Sequence, residues 1–245
     1  MGPHHTILVD TWEGVNEACN RIREHSIIAF DMEGVKLGRD GLVTLLQIAI
    51  NKRTVFCFDV LVLGGQLFAY AHLGSILSSC NIIKLCFDCR VDGDVLRYQF
   101  GVVMNMLYDI QVLYTLLFQS HEDPRLKGLP HVIQKRGVIE KKETLAKVLQ
   151  CKRQVKESLF HQSKHDAEHV FLTRPIKPEI LDYCSSDVVY LLRMHSLWGH
   201  LCNLHLVLHI TKGRLDRFCN RVYAIPPSEM SLVDFETKHQ RLPST

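Results

Sequence analysis

Two acidic residues, Asp31 and Glu33, follow the apolar run Ile27-Ile28-Ala29-Phe30. In an extended strand, positions i and i+2 point to one face, so the two carboxylates lie together. Like charges placed this way raise each other's pKa and destabilise the fold unless a cation sits between them. Their hard oxygen ligands suit Mg²⁺ or Mn²⁺. A second pair, Tyr183 and Asp187, has i, i+4 spacing in a long helical pattern and therefore shares a helix face. The third segment runs Lys84-Leu85-Cys86-Phe87-Asp88-Cys89-Arg90-Val91-Asp92. It reads as an apolar strand, a short loop and a helix that opens with acids. Asp92 is assigned to the site, while Asp88 and Asp94 suit helix-start positions. Taken singly, each piece has a plainer reading: a solvated strand end, a core aromatic with a surface acid, and an ordinary helix start.

These side chains need elements to position them. Glu13 to Glu24 has helical spacing, with Val15, Ala18, Cys19 and Ile22 on one side. The Ile27–Phe30 run reads as a central strand that ends at Asp31. Leu42 to Ile50 and Thr54 to Phe58 are β-rich and separated by Asn51-Lys52-Arg53, which predicts a hairpin. Gln66 to Ser79 reads as helix and Ile82 to Phe87 as a strand. Val91 to Phe100, Ile110 to Gln119 and Pro178 to Trp198 read as helices, the last with Pro178 suited to a first turn. Strands come early and helices late. This order predicts an antiparallel unit extended by parallel strands and covered by helices.

The 245 residues are 47% hydrophobic and 22% charged, a balance that excludes global disorder. The stretch from Val60 to Ile83 carries no Asp, Glu, Lys or Arg, yet nine Gly and polar residues interrupt its 24 positions. It does not read as a membrane span, which needs about 20 predominantly apolar residues. The net charge is only +3, but His121 to Phe160 holds ten Lys and Arg against five acids. Such a basic stretch attracts a phosphate backbone, although a solvated helix face explains it equally well. Nine scattered cysteines suit buried free thiols and an intracellular protein better than a disulfide framework.

The three acidic segments, in their order and context, resemble the DEDD superfamily of ribonuclease D-like 3′–5′ exonucleases. The motifs are Phe30-Asp31-Met32-Glu33-Gly34 followed by Leu45-Leu46-Gln47-Ile48-Ala49, then Lys84 to Leu96, then Tyr183-Cys184-Ser185-Ser186-Asp187-Val188. The last looks like the subgroup with Tyr before the final Asp (DEDDy). Tyr108-Asp109-Ile110-Gln111 and Phe171-x-x-Arg174-Pro175 also match. The Asp88-Cys89-Arg90 and Asp109-Ile110-Gln111 segments look closest to the Egalitarian-like exonuclease-domain branch. Phe87 stands where relatives usually have His, and Phe171 where Trp is common.

The resemblance implies an α/β, ribonuclease H-like fold: a mixed five-stranded sheet flanked by helices. It implies an exonuclease domain over residues 1–210, with 211–245 as a C-terminal extension or tail. Asp31, Glu33, Asp92 and Asp187 would hold two Mg²⁺ or Mn²⁺ ions, and Tyr183 would orient or help deprotonate the attacking water. The reaction implied is stepwise hydrolysis of single-stranded RNA from its 3′ end, releasing 5′-mononucleotides, with DNA as an alternative substrate. Lys135, Arg136, Lys152 and Arg153 of the basic stretch would hold the backbone. The competing function is an RNA-binding adaptor or dimerisation scaffold that keeps the fold without useful catalysis. A homodimer or a protein complex is a further expectation, with Leu201 to Ile210 as either partner surface or core packing. A zinc site at Cys86-x-x-Cys89, or at His161, His165 and His169, is a weaker reading because the spacing of a complete ligand set is lacking.

Overall fold

β2 (Ile27–Val35), the strand that carries the first acidic pair, buries Ile28, Ala29, Phe30 and Met32 in a computed structural model that describes residues 5–120, 123, 125–161 and 169–220. Ile28, Phe30 and Met32 enter the core on one face of the sheet, and Ala29 enters that on the other. Asp31 and Glu33 share the parity of Ala29, so they point to the second face. The strand does not end at Asp31: it runs on to Val35, so both acids lie inside it. Pairing with β3 (Leu42–Ala49) carries it past the charges, with Asp31 opposite Gln47 and Glu33 opposite Leu45.

Four more strands complete the sheet: β1 (His5–Val9), β4 (Thr54–Asp59), β5 (Ile83–Cys86) and β6 (Leu107–Asp109), in the order β1-β4-β3-β2-β5-β6. β3 runs antiparallel to both of its neighbours, β2 and β4. β1, β5 and β6 join in parallel. The sheet is mixed and flanked by helices, as expected, but it has six strands rather than five. β1 and β6 are the two edges, five and three residues long, and short edge strands carry little periodic signal.

The helices are α1 (Trp12–Arg23), α2 (Val60–Leu63), α3 (Ser75–Leu77), α4 (Arg90–Gln99) and α5 (Ile110–Phe118), then α6 (Leu129–Val132), α7 (Lys142–His161), α8 (His169–Leu172), α9 (Pro178–Trp198) and α10 (Leu204–Asn220). α1 buries Val15, Ala18, Cys19 and Ile22, the stripe its spacing predicts. Thr11 caps it by accepting from the Gly14 N–H at 3.2 Å. The helix expected over Gln66–Ser79 is broken. Short turns over Gly65–Phe68 and Tyr70–Gly74 precede α3, and Gly74 packs so closely that a Cβ would lie 2.5 Å from the Phe68 carbonyl oxygen.

The boundary expected after residue 210 falls inside α10. Val207, Thr211, Arg214 and Cys219 of that helix are all buried. The Leu201–Ile210 run belongs largely to the core, with Val207 buried and Leu204, Leu208 and Ile210 packed around it, although Leu201 is exposed. The Pro226–Thr245 tail and the histidine series through His165 lie outside the described residues. Among the described residues, no helix is long and apolar enough to cross a membrane.

Candidate active site

β2 and α9 assemble the centre of the site. α9 lies across the sheet, and its Cys184 packs in an apolar cluster with Leu45, Cys57, Val155, Phe171, Ile176 and Ile180. That cluster fixes the helix beside β2, and the i, i+4 spacing then turns Tyr183 and Asp187 to the same side. Carboxylate oxygens of Asp31, Glu33 and Asp187 come within 4.8 Å of one another.

Asp92 arrives by another route. Ala29 is the last residue of β2 paired with β5, opposite Leu85, so β2 continues beyond the end of β5. The chain turns there and starts α4, whose first turn carries Asp92. Asp92 stands outside the tight group of three, yet its charge reaches both Asp31 and Glu33.

The electrostatics follow from this crowding. Burial first, then the Asp92 and Asp187 carboxylates, push the Asp31 carboxyl well above the usual range, against the pull of Lys152. Glu33 moves the same way through burial and then Asp31, Asp187 and Asp92. Asp92 is raised to about 7 by burial and the neighbouring charges of Asp88 and Asp109. Burial and the carboxylates of Glu33, Asp187 and Asp31 raise the Tyr183 phenol. Its ring lies 6.3 Å from that of Phe171.

Of the four basic residues assigned to the substrate backbone, Lys152 is placed differently from that expectation. It is buried on α7, its ammonium donates to Asp187 Oδ1, and it lies 5.0 Å from the centre of the Tyr183 ring. Lys135 is half-buried over the Phe118 ring at 4.8 Å. Arg136 and Arg153 are exposed.

The acidic cluster fits hard cations by an observation independent of its motifs. Asp187 Oδ2 is buried and has no hydrogen-bond partner. A buried carboxylate oxygen without a partner is costly, and an oxygen-seeking cation would satisfy it. The second group of possible ligands, Cys86, Cys89 and Asp109, is less suitable. Asp109 Oδ1 already accepts from the N–H groups of Asp88 and Gln111, and Oδ2 accepts from Arg214.

Several residues around the site were given no catalytic or binding role in the reading of the sequence. Gln47 donates to Asp31 Oδ2 at 3.2 Å, and its place opposite Asp31 follows only from the β2–β3 register. Arg174 forks onto both oxygens of Asp59, at 2.5 and 2.8 Å, and ties the segment before α9 to the end of β4. Neither Asp88 nor Asp94 caps α4: Asp88 grips Arg90, and Asp94 takes a bidentate Arg39.

A mixed sheet of this order, with helices on both faces and acids on its central strand, defines the class: a ribonuclease H-like α/β fold of the ribonuclease D type. The structure of Trypanosoma brucei RNase D in complex with RNA U12 superposes with a TM-score of 0.73 at 24% identity, over 91% of this chain and 75% of that one. The 3′–5′ exonuclease family model matches residues 6–201, and the chain belongs to that family. It is 29% identical over 192 residues to the piRNA biogenesis protein EXD1 of Xenopus laevis, covering 77% of this chain and 41% of the relative. It is 24% identical over 123 residues to the Egalitarian protein homolog of Caenorhabditis elegans, covering 50% of this chain and 20% of that one. The chain therefore spans less than half the length of these curated relatives.

Proposed function

We propose that the domain is a DEDDy-type, divalent-metal-dependent exoribonuclease that shortens single-stranded RNA from its 3′ end and releases 5′-mononucleotides. The observation that carries this reading is the meeting of Asp31, Glu33 and Asp187 oxygens within 4.8 Å, with an unpartnered Asp187 oxygen among them. In this reading Asp31, Glu33, Asp92 and Asp187 hold two Mg²⁺ or Mn²⁺ ions. When bound, such ions supply a hydroxide-forming Lewis acid and neutralise the charge on the leaving oxygen.

The chain's own groups do the rest. Gln47 fixes the Asp31 carboxylate against rotation. Tyr183 keeps its proton at neutral pH, because burial and three carboxylates raise the phenol. It therefore acts as a hydrogen-bond donor that orients the water oxygen toward the scissile phosphorus. The new P–O bond forms to that water, the bond to the upstream 3′-oxygen breaks, and the shortened strand keeps a 3′-hydroxyl. Exposed Arg136 and Arg153 would steer the strand electrostatically. The nine free thiols support an intracellular setting.

A second reading, an RNA-binding adaptor without useful turnover, is favoured by Lys152. Its ammonium occupies an oxygen of Asp187 that a catalytic cation would use. Incubation of 3′-labelled RNA with the protein in Mg²⁺ or Mn²⁺ separates the two. The nuclease reading expects labelled mononucleotide, and loss of turnover by more than about 10³-fold in Asp31→Ala and Asp187→Ala with RNA affinity retained. RNA that is bound but left intact by the wild type in both metals would leave only the adaptor. A parallel DNA arm reports on the 2′-hydroxyl.

A further inference from the structure

The residues that place Asp92 form a polar chain that begins outside the part of the sequence matched by the exonuclease family. That match ends at residue 201, and α10 starts at Leu204. Arg214 of α10 is buried, its side chain only 1% exposed. Its Nη1 donates to Asp109 Oδ2 at 2.9 Å, and its Nη2 donates to Gln111 Oε1 at 3.1 Å and reaches Asp88 Oδ1 at 3.5 Å. Thr211, one turn earlier, accepts from the Asp109 backbone N–H at 3.2 Å. Two groups of α10 therefore hold Asp109 from both its backbone and its carboxylate.

Asp109 in turn holds the turn between β5 and α4. Asp88 lies there at φ 57°, a left-handed conformation that residues with a side chain rarely adopt. Its N–H donates to Asp109 Oδ1 at 3.0 Å, and its carboxylate takes Arg90 Nε at 2.6 Å and Nη2 at 2.9 Å. Asp92 follows four residues later, in the first turn of the helix that this turn launches. α10 also presses directly on that helix: a Cβ on Gly93 would lie 2.6 Å from Leu215 Cδ1.

We infer that Arg214 is a positioning residue for Asp92, acting through Asp109 and the left-handed Asp88 turn. The inference rests on the proposed role of Asp92 as a metal ligand, and it makes α10 part of the catalytic unit. A guanidinium is suited to this task because its planar fork reaches Asp109, Gln111 and Asp88 at once, whereas an ammonium offers a single point.

The test compares wild type with Arg214→Lys, Arg214→Met, Asp92→Asn and a control, Val207→Ala. Val207 is a buried apolar residue of α10 that makes none of the hydrogen bonds of the polar chain, so this variant loosens the helix while leaving those polar groups in place. Mn²⁺ binding is read by electron paramagnetic resonance on protein without RNA, alongside hydrogen exchange over residues 87–95 and thermal melting. Arg214→Lys, which keeps the charge and guards against misfolding of Arg214→Met, is expected to weaken the Asp92-dependent Mn²⁺ about tenfold and to speed exchange over 87–95. Val207→Ala is expected to lower the melting temperature and leave Mn²⁺ affinity unchanged. Wild-type affinity and protection in Arg214→Lys would overturn the inference, as would an equal loss of affinity in Val207→Ala. Wild type that binds Mn²⁺ yet leaves RNA intact refutes the nuclease reading alone. If wild type binds no Mn²⁺, the metal-ligand role falls, and the exchange data still decide whether Arg214 holds the turn.

Discussion

Asp187 has two claims on it, the Lys152 ammonium at one oxygen and an unpartnered second oxygen. A divalent ion bound as proposed would compete with the lysine for the same carboxylate, so Lys152→Met should tighten Mn²⁺ by about tenfold, a difference of about 1.4 kcal/mol. It should also lower the melting temperature in chelator, because a buried carboxylate loses its counter-charge, and regain it when Mn²⁺ is added. Calorimetric titration checks the first point, and weaker Mn²⁺ binding by the variant would show that Lys152 assists the ions. The carboxyls also set a pH dependence. Asp92 is held up to about 7 by burial, Asp88 and Asp109, against an ordinary 3.8. Between those values the native protein keeps a proton that the unfolded chain has lost. Metal-free stability from this group is therefore greatest at low pH and is lost as pH rises through about 7. Asp31 and Glu33 act in the same direction. Melting in chelator from about pH 5 to about pH 8 should show that fall, reduced in Asp92→Asn; a flat profile over this window would contradict the crowding described for the site.

At the scale of elements, the pleat of β2 supplies the parity and a single irregularity interrupts its pairing with β3. Register with β3 shifts between Glu33 and Gly34. A Cβ on Gly34 would lie 2.2 Å from the Leu42 carbonyl oxygen, which is backbone and cannot swing aside. Glycine is required there by close approach of the two strands. Gly34→Ala should therefore cost about 1–3 kcal/mol of stability, and weaken Mn²⁺ by displacing the neighbouring Glu33. A urea midpoint equal to wild type would mean that the bulge relaxes freely. The same β2–β3 pairing brings Gln47 to Asp31, so one ladder both builds the sheet and orients a carboxylate.

For the molecule as a whole, the candidate site draws on three chain segments far apart in sequence, and α10 packs against β6 and α4, the helix that carries Asp92. A chain ending at Ile210 would lack Thr211, Arg214 and Cys219, all buried, and would leave Asp109 without its guanidinium. Removing one member of a buried charged pair costs about 3–5 kcal/mol, before any loss of apolar packing. Such a truncation is expected to be insoluble or to melt well below the full chain, and a truncated protein with full melting temperature and Mn²⁺ affinity would place the domain end at 210 after all. By contrast, the exposed Lys212–Asp216 pair on the same helix contributes at most about 1 kcal/mol.

The sequence alone determined what depends on near neighbours. The stripe of α1, the strand parity of Asp31 and Glu33, the i, i+4 pair on α9 and the β3–β4 hairpin are all encoded within a few residues. Each is visible because side-chain direction repeats every two or about 3.6 residues. Tertiary structure decided what depends on packing between distant segments. Lys152 joins Asp187 across 35 positions and Arg214 joins Asp109 across 105, and no local period marks either cation as buried. The extension of β2 past its charges was likewise settled by its partner strand, whereas the break in the expected Gln66–Ser79 helix is local, with Gly74 pressed against the Phe68 and Ala69 carbonyls.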